Sequence, residues 1–542
     1  MKSITLTTIA AALLLASAAA QADVSISGRP TKNITCSAGA CVPDGPKAVL
    51  NVKDLEALLA NSDTTVFTGN GAVSIHVKVP LSWSGTHKLT LNAFRSVYFE
   101  APVTAEGTSA VSLVTNTQGL GGTVYFRPGG SLSFWDLNSQ LSIDGTAYTL
   151  FTDLTTLADD IAANPAGNFA LAQDFDAFAD GIFPHSVVTT TYQGSLEGLG
   201  HTLDHLSIND SNPNDQLVGL FSRLDVGSRV ANLHLTSESV VSADATTAGV
   251  AGAGLGTLDH VWVEGNIEGG WYDVGVVGVN SGSITRAVAA VTLSGVVCGG
   301  ITGFNDGGAI SLSTASGSCE GEAGGGLVGI NQGSISQSSA SASVSSGYIH
   351  AQIGGLVGQH ESGTIDQSFA TGSVTLESQN RRSHGMSRPA KDVGATAGGL
   401  VGVASAPITN SYATGNVNSS PNTRNAVGGL IGILNLNSSS TAKGAYSVGP
   451  INAQPETYIG GSIGYDENAI RNKARIYWNL DTSGVPDISK GAGNIAFDPG
   501  LEGITDDQLK KRLPKGFDRT IWAHDAAINN GYPYLLANPP PK

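Results

Sequence analysis

Four copies of one phrase decide the fold: Gly325-Gly326-Leu327-Val328-Gly329, Gly354-Gly355-Leu356-Val357-Gly358, Gly398-Gly399-Leu400-Val401-Gly402 and Gly428-Gly429-Leu430-Ile431-Gly432. Looser copies extend the series both ways. With the second glycine as marker, it runs through Gly219, Gly249, Gly275, Gly300, Gly326, Gly355, Gly399, Gly429 and Gly461, at intervals of 30, 26, 25, 26, 29, 44, 30 and 32 residues. A near-regular period of this size signals a stack of like units. Within a unit apolar residues alternate, as in Tyr412-Ala413-Thr414-Gly415-Asn416-Val417, and no helical stripe is sustained, so each unit reads as about three short strands separated by turn-forming Gly, Ser, Asn and Asp. One such unit cannot bury its apolar face. Stacked units can, because their strands pair and their inward side chains form ladders.

The expectation is therefore an all-β chain, a right-handed parallel β-helix with short capping helices; a β-propeller and a β-roll are the alternative architectures. The aliphatic residues of each phrase are expected to face the core, and a glycine of each phrase to adopt a backbone shape denied to other residues. Composition agrees: Gly makes up 70 of 542 residues, charged residues are 13%, and the 41% apolar fraction, in register with the glycines, argues against a disordered chain.

Residues 1–22 have the form of a secretory leader, with an apolar run from Ile9 to Ala20 and a cleavage site after Ala22. No other window is apolar enough for a transmembrane anchor. The four cysteines fall into local pairs, predicting disulfides Cys36–Cys41 and Cys298–Cys319, the second joining adjacent coils. A net charge of −16 argues against nucleic acid as a partner.

The chain divides into the leader, an N-terminal cap at 23–65, early coils at 66–150, a helix and further coils at 151–215, the glycine units at 216–470 and a C-terminal capping region at 471–542. Helices are predicted at Asn51 to Ala60, at Asp153 to Ala163 behind a Thr152 cap, and at Asp506 to Leu513.

The phrases, each followed by a segment like Ile408-Thr409-Asn410-Ser411-Tyr412-Ala413-Thr414-Gly415, resemble the GLUG repeats of filamentous-haemagglutinin-like bacterial adhesins. Residues 69–103 look like haemagglutinin coils. The resemblance implies a secreted or cell-surface protein, with the periplasm as a further address, that binds host or extracellular glycans or matrix components. It implies neither catalysis nor a cofactor. The dedicated secretion domain with which such adhesins begin is not recognisable after Asp23, which predicts a short, released or periplasmic relative. A polysaccharide lyase or hydrolase on the same fold, and a structural spacer, are the alternative functions.

Three places offer chemistry. His201-Thr202-Leu203-Asp204-His205 approximates an inverted zinc motif, but neighbouring Gly198 and Gly200 predict strand-turn-strand, so no metal site is expected. His205 instead heads a column of turn residues continuing through Asn232, His260, Arg286, Gln337, Gln367 and Asn410. Asp174, Asp176 and Asp180 lack a neighbouring Lys or Arg and read as solvated turn carboxylates, leaving no catalytic residue assigned. The long 44-residue interval holds a basic insertion, 376–393, whose Arg381, Arg382, His384, Arg388 and Lys391 could bind an anionic glycan or remain a solvated loop.

Overall fold

The computed structural model describes residues 23–69, 72–384, 390, 393–420, 424–436, 441–454, 457–469 and 474–541. The predicted leader lies outside them. They form two compact units that divide between residues 147 and 148.

The first unit stacks coils of three strands. One coil runs Ile75–Val77, Leu81–Ser84 and Lys88–Asn92, the next Val97–Phe99, Pro102–Glu106 and Ala110–Val114, and each strand pairs in parallel with its counterpart. Alternation puts Leu81 and Trp83, Leu89 and Leu91, and Val97 and Phe99 inside. Helix α1 (Val52–Leu59) is capped by Asn51, whose side chain accepts from Lys53 N, and it buries Val52, Leu55 and Leu59. Cys36 and Cys41 face each other across a hairpin and form the first disulfide.

The second unit is also a parallel β-helix, and in the glycine repeat a coil has four strands, or five where its second strand is interrupted, rather than the three expected. One coil comprises Ser283–Thr285, Val288–Ser294, Val297–Gly299 and Thr302–Asn305, and the next repeats it in register. The additional strand arises because the glycine phrase spans a corner. Ala323–Gly325 ends one strand, Gly326 and Leu327 turn, and Val328–Asn331 begins the next. Leu327, Leu356, Leu400 and Leu430 are fully buried, as expected.

The expected reason for the glycines is corrected: no glycine of the four phrases has a positive φ. Space is what excludes a side chain. A Cβ on Gly326 would stand 2.3 Å from Gly355 O of the next coil, and one on Gly329 would stand 2.5 Å from Val297 Cγ1.

Positive φ is found instead at another corner. Register aligns Asn232, His260, Arg286, Leu312, Gln337, Gln367, Asn410 and Gly444, all with φ between 47° and 65°. From Asn232 to Asn410, each N–H donates to a carbonyl of the next coil, for example His260 to Thr285 and Gln367 to Thr409. Seven of the eight have side chains. The left-handed shape is therefore fixed by the stacked turn, with polar side chains tolerating it best. His205 is not in this column; its strands place it opposite Ser237, itself at φ 50°.

Two side-chain ladders lock the coils internally. Asn280 Nδ2 donates to Asn305 Oδ1 (2.8 Å), Asn305 Nδ2 to Asn331 Oδ1 (2.7 Å), and Asn331 meets His360 Nδ1 (3.0 Å), all fully buried. Beside them Ser338, Ser368 and Ser411 each accept from the backbone N–H of the serine one coil earlier. The second disulfide, Cys298–Cys319, joins adjacent coils as predicted and is buried.

Helix α2 (Leu154–Ala163) is capped by Asp153, which accepts from Thr156 N, rather than by Thr152. Helix α3 (Asp506–Lys511) starts with a capping box between Thr505 and Gln508 and ends two residues short of the predicted Leu513. Leu501–Ile504 extends the final coil by pairing with Ala474–Asn479. Beyond α3 the chain turns back along the flank. Trp522 and Phe517 cover a stack of outward rings, Phe369, Tyr412 and Tyr446, spaced 4.8 and 5.0 Å, and Asn538 reaches Ser338 O.

Candidate functional site

All three aspartates are exposed, as expected, but Asp174 and Asp176 have imidazole partners. Asp176 caps the short 3-10 helix Ala177–Asp180 by accepting from Phe178 N, and it also lies 3.0 Å from His205 Nδ1. Asp204 approaches the same nitrogen at 3.2 Å. Asp174 meets His201 Nδ1 at 3.1 Å and Thr202 N, and the bond to His201 holds its carboxyl below the usual range. Burial, with Asp153 nearby, raises Asp180. The two histidines thus turn to separate carboxylates. Among the described residues no group of three or more His, Cys, Asp or Glu side chains could hold a metal ion.

A recess of about 310 Å³ opens beside His205, lined by Phe178, Ile182, Leu206, Ser207, Ser237 and Ser239. Phe178 is 79% and Ile182 65% exposed, and the Phe178 ring stands edge-on to His205. Farther along the same outer face, His234 packs against Trp262, which is 40% exposed. The sequence hides these residues because outward and inward parity depends on the strand register.

The corner next to this recess is strongly ionic. Buried Glu197 pairs with Arg229 and accepts from Asn232 Nδ2 (2.9 Å); burial raises its carboxyl while Arg229 opposes. Two coils later Arg286 grips Asp259 with two bonds of 2.7 and 2.9 Å and reaches His260 Nδ1. These contacts staple neighbouring coils.

A second recess, about 590 Å³, lies where the last coil meets α3; Tyr477, Glu502, Gln508, Arg512, Pro514 and Lys515 line it.

In the basic insertion, Arg381 forms a 2.7 Å ion pair with Glu320 and lies 5.5 Å over the Tyr348 ring. Ser383 Oγ and His384 N both donate to Glu322, and the His384 ring is edge-on to Tyr348. Arg382 is exposed, whereas Arg388 and Lys391 lie outside the described residues. Arg381 is thus laid against an acidic side chain of an earlier coil, and Ser383 and the His384 backbone are tied to a second one.

Residues 350–375 match the sequence family described as the GLUG motif. Halomucin of Haloquadratum walsbyi (strain DSM 16790 / HBSQ001) is 33% identical over 129 residues, 22% of this chain; the match spans about 1% of that protein's length. Among solved structures, an IgA1 protease aligns with 62% of this chain and 23% of its own at 16% identity and a TM-score of 0.30. A "putative immunoglobulin A1 protease" from Bacteroides ovatus aligns with 72% of this chain and 93% of its own, at 15% identity and a TM-score of 0.28.

Proposed function

We propose that this chain is an extracellular, adhesin-like β-helix, secreted or held at a cell surface, whose outer faces bind extracellular glycans or proteins without catalysis. The observation that carries this reading is the exposure of large apolar side chains at the His205 recess and on the coils that follow it. Phe178, Ile182 and Trp262 are between 40% and 79% exposed, whereas from residue 300 to 470 only Leu312 and Ile349 are comparable among the described residues. Exposed large rings on a rigid scaffold mark interaction sites, because water solvates them poorly and a partner's apolar surface or sugar ring covers them. The two disulfides support an oxidising, extracellular address. The GLUG match at residues 350–375 supports the repeat class.

The test is binding of the purified chain to glycan arrays and immobilised matrix proteins, compared with Phe178→Ser and Trp262→Ser. Loss of binding at an unchanged melting temperature supports the reading; no binding by the parent sinks it.

One observation favours a second reading, a carbohydrate-active enzyme: the His205 imidazole sits between Asp176 and Asp204 at the mouth of a recess. Depolymerisation of pectin or alginate that His205→Ala abolishes would favour it over adhesion.

A further inference from the structure

The last two strands of each coil in the glycine repeat meet so that their outward side chains converge in a groove. Register defines its two walls. One wall runs Tyr272, Val297, Ala323, Gln352, Thr396, Ala426, Tyr458, and the other Val279, Phe304, Ile330, Gln359, Val403, Ile433, Tyr465. The final glycine of the phrase lies on its floor, beneath Val297 in the case of Gly329.

The groove is apolar in two stretches. In the later one this chain fills its own groove: Ala390 and Val393 of the insertion pack on Ala426, Ile433, Val403, Tyr458 and Tyr465. In the earlier one, Tyr272 and Ile330 pack over Val296, Val297 and Ala323, while Tyr272, Val279, Phe304 and Ile330 remain partly exposed and Trp271 is 44% exposed beside them. Exposed Glu268 and Asp306 flank this earlier stretch. The insertion's cationic part is held by acids on the same coils, Arg381 by Glu320 and His384 N by Glu322.

We propose that the earlier stretch docks a peptide segment that presents small aliphatic residues beside Lys or Arg, as the insertion presents Ala390 and Val393 in a turn. The walls supply apolar contact at the spacing of stacked strands, and the acidic flanks select positive charge. Ala390 and Val393 show which side-chain sizes the groove takes. This goes beyond the surface-binding reading and uses different residues, so either can fail alone.

The test is fluorescence anisotropy of the full chain with a labelled peptide having the sequence of residues 379–393. Saturable binding is expected at about 1–100 μM. It should weaken about tenfold or more in Tyr272→Ser and Phe304→Ser, since a few central aromatics carry most of such an interface. Trp271→Ser, a substitution at a more exposed ring, guards against a folding defect in the other two and should also weaken binding. A peptide with every Arg, Lys and His replaced by Glu should not bind. Absence of saturable binding, or equal affinity in all three variants, overturns the proposal. A dimer in sedimentation that Phe304→Ser dissociates would assign the groove to a second copy and overturn it as well.

Discussion

Asn280 and Asn305, one coil apart, share a fully buried side-chain hydrogen bond of 2.8 Å, and Asn305 passes the same bond on to Asn331. Asn305 Nδ2 also donates to Gly308 O, so one amide ties three coils and a turn. Removing it leaves buried partners unpaired, which costs more than the bond itself contributes. Asn305→Ala should lower stability by about 2–4 kcal/mol in chemical denaturation. A loss below about 0.5 kcal/mol would mean that the ladder is incidental to coil stacking.

The glycine phrase makes two separable demands. Leu400 is fully buried, so Leu400→Asp would place an unpaired charge in the core and should destabilise by several kcal/mol, on the order of 3–5. Gly399 has no positive φ, but a Cβ there would lie 2.2 Å from Gly429 O. Gly399→Ala should therefore force two coils apart and cost about 1–3 kcal/mol, as overpacking does. Unchanged melting of either variant would contradict the corner geometry.

How much of this was legible beforehand follows from which interactions are local. The phrase fixes a repeating stack because its period is a property of the chain alone, and the Leu400 type of position is leucine in all four full copies. The additional strand was missed because Gly326 and Leu327 look like strand interior until the next coil's Gly355 O is seen beside them. The polar column from Asn232 to Asn410 was visible, but Leu312 was missed and His205 wrongly included, since only register separates adjacent corners. Asn280-Ser281-Gly282, Asn305-Asp306-Gly307 and Asn331-Gln332-Gly333 did carry a signal for the ladder, an Asn-x-Gly at near-constant spacing. At the candidate sites, the exposure of Phe178 and Trp262 and the seating of Arg381 on Glu320 depend on contacts across 27 or more residues, which no local pattern encodes.

Glu238 is fully buried, and neither carboxylate oxygen has a hydrogen-bond partner among the described residues. Burial pushes it up to about 8 from an ordinary 4.5. The folded state therefore holds this proton more tightly than the unfolded one. Its contribution is most favourable below about 4.5 and declines as pH rises towards 8, because only the unfolded chain ionises freely in that window. Glu238→Gln removes the titration. Between pH 5 and 8.5 the parent should lose on the order of 2–4 kcal/mol relative to the variant. Parallel stability curves for the two proteins across that range would show that Glu238 is hydrated and unshifted.

The basic insertion gives a prediction with opposite signs at two residues. Arg381 is half exposed and paired with Glu320, so part of its charge is already offset, whereas Arg382 is exposed. If the insertion attracts acidic glycans, Arg382→Ser should elute earlier from immobilised heparin in a salt gradient, because attraction to an anionic chain is screened by added ions. Glu320→Gln should elute later, since it releases Arg381 and removes a repelling carboxylate. Both substitutions should leave stability within about 1 kcal/mol, the usual limit for exposed ion pairs. Should neither change move the elution, or the parent pass through unretained, the cations serve only to dock the insertion on its own coils.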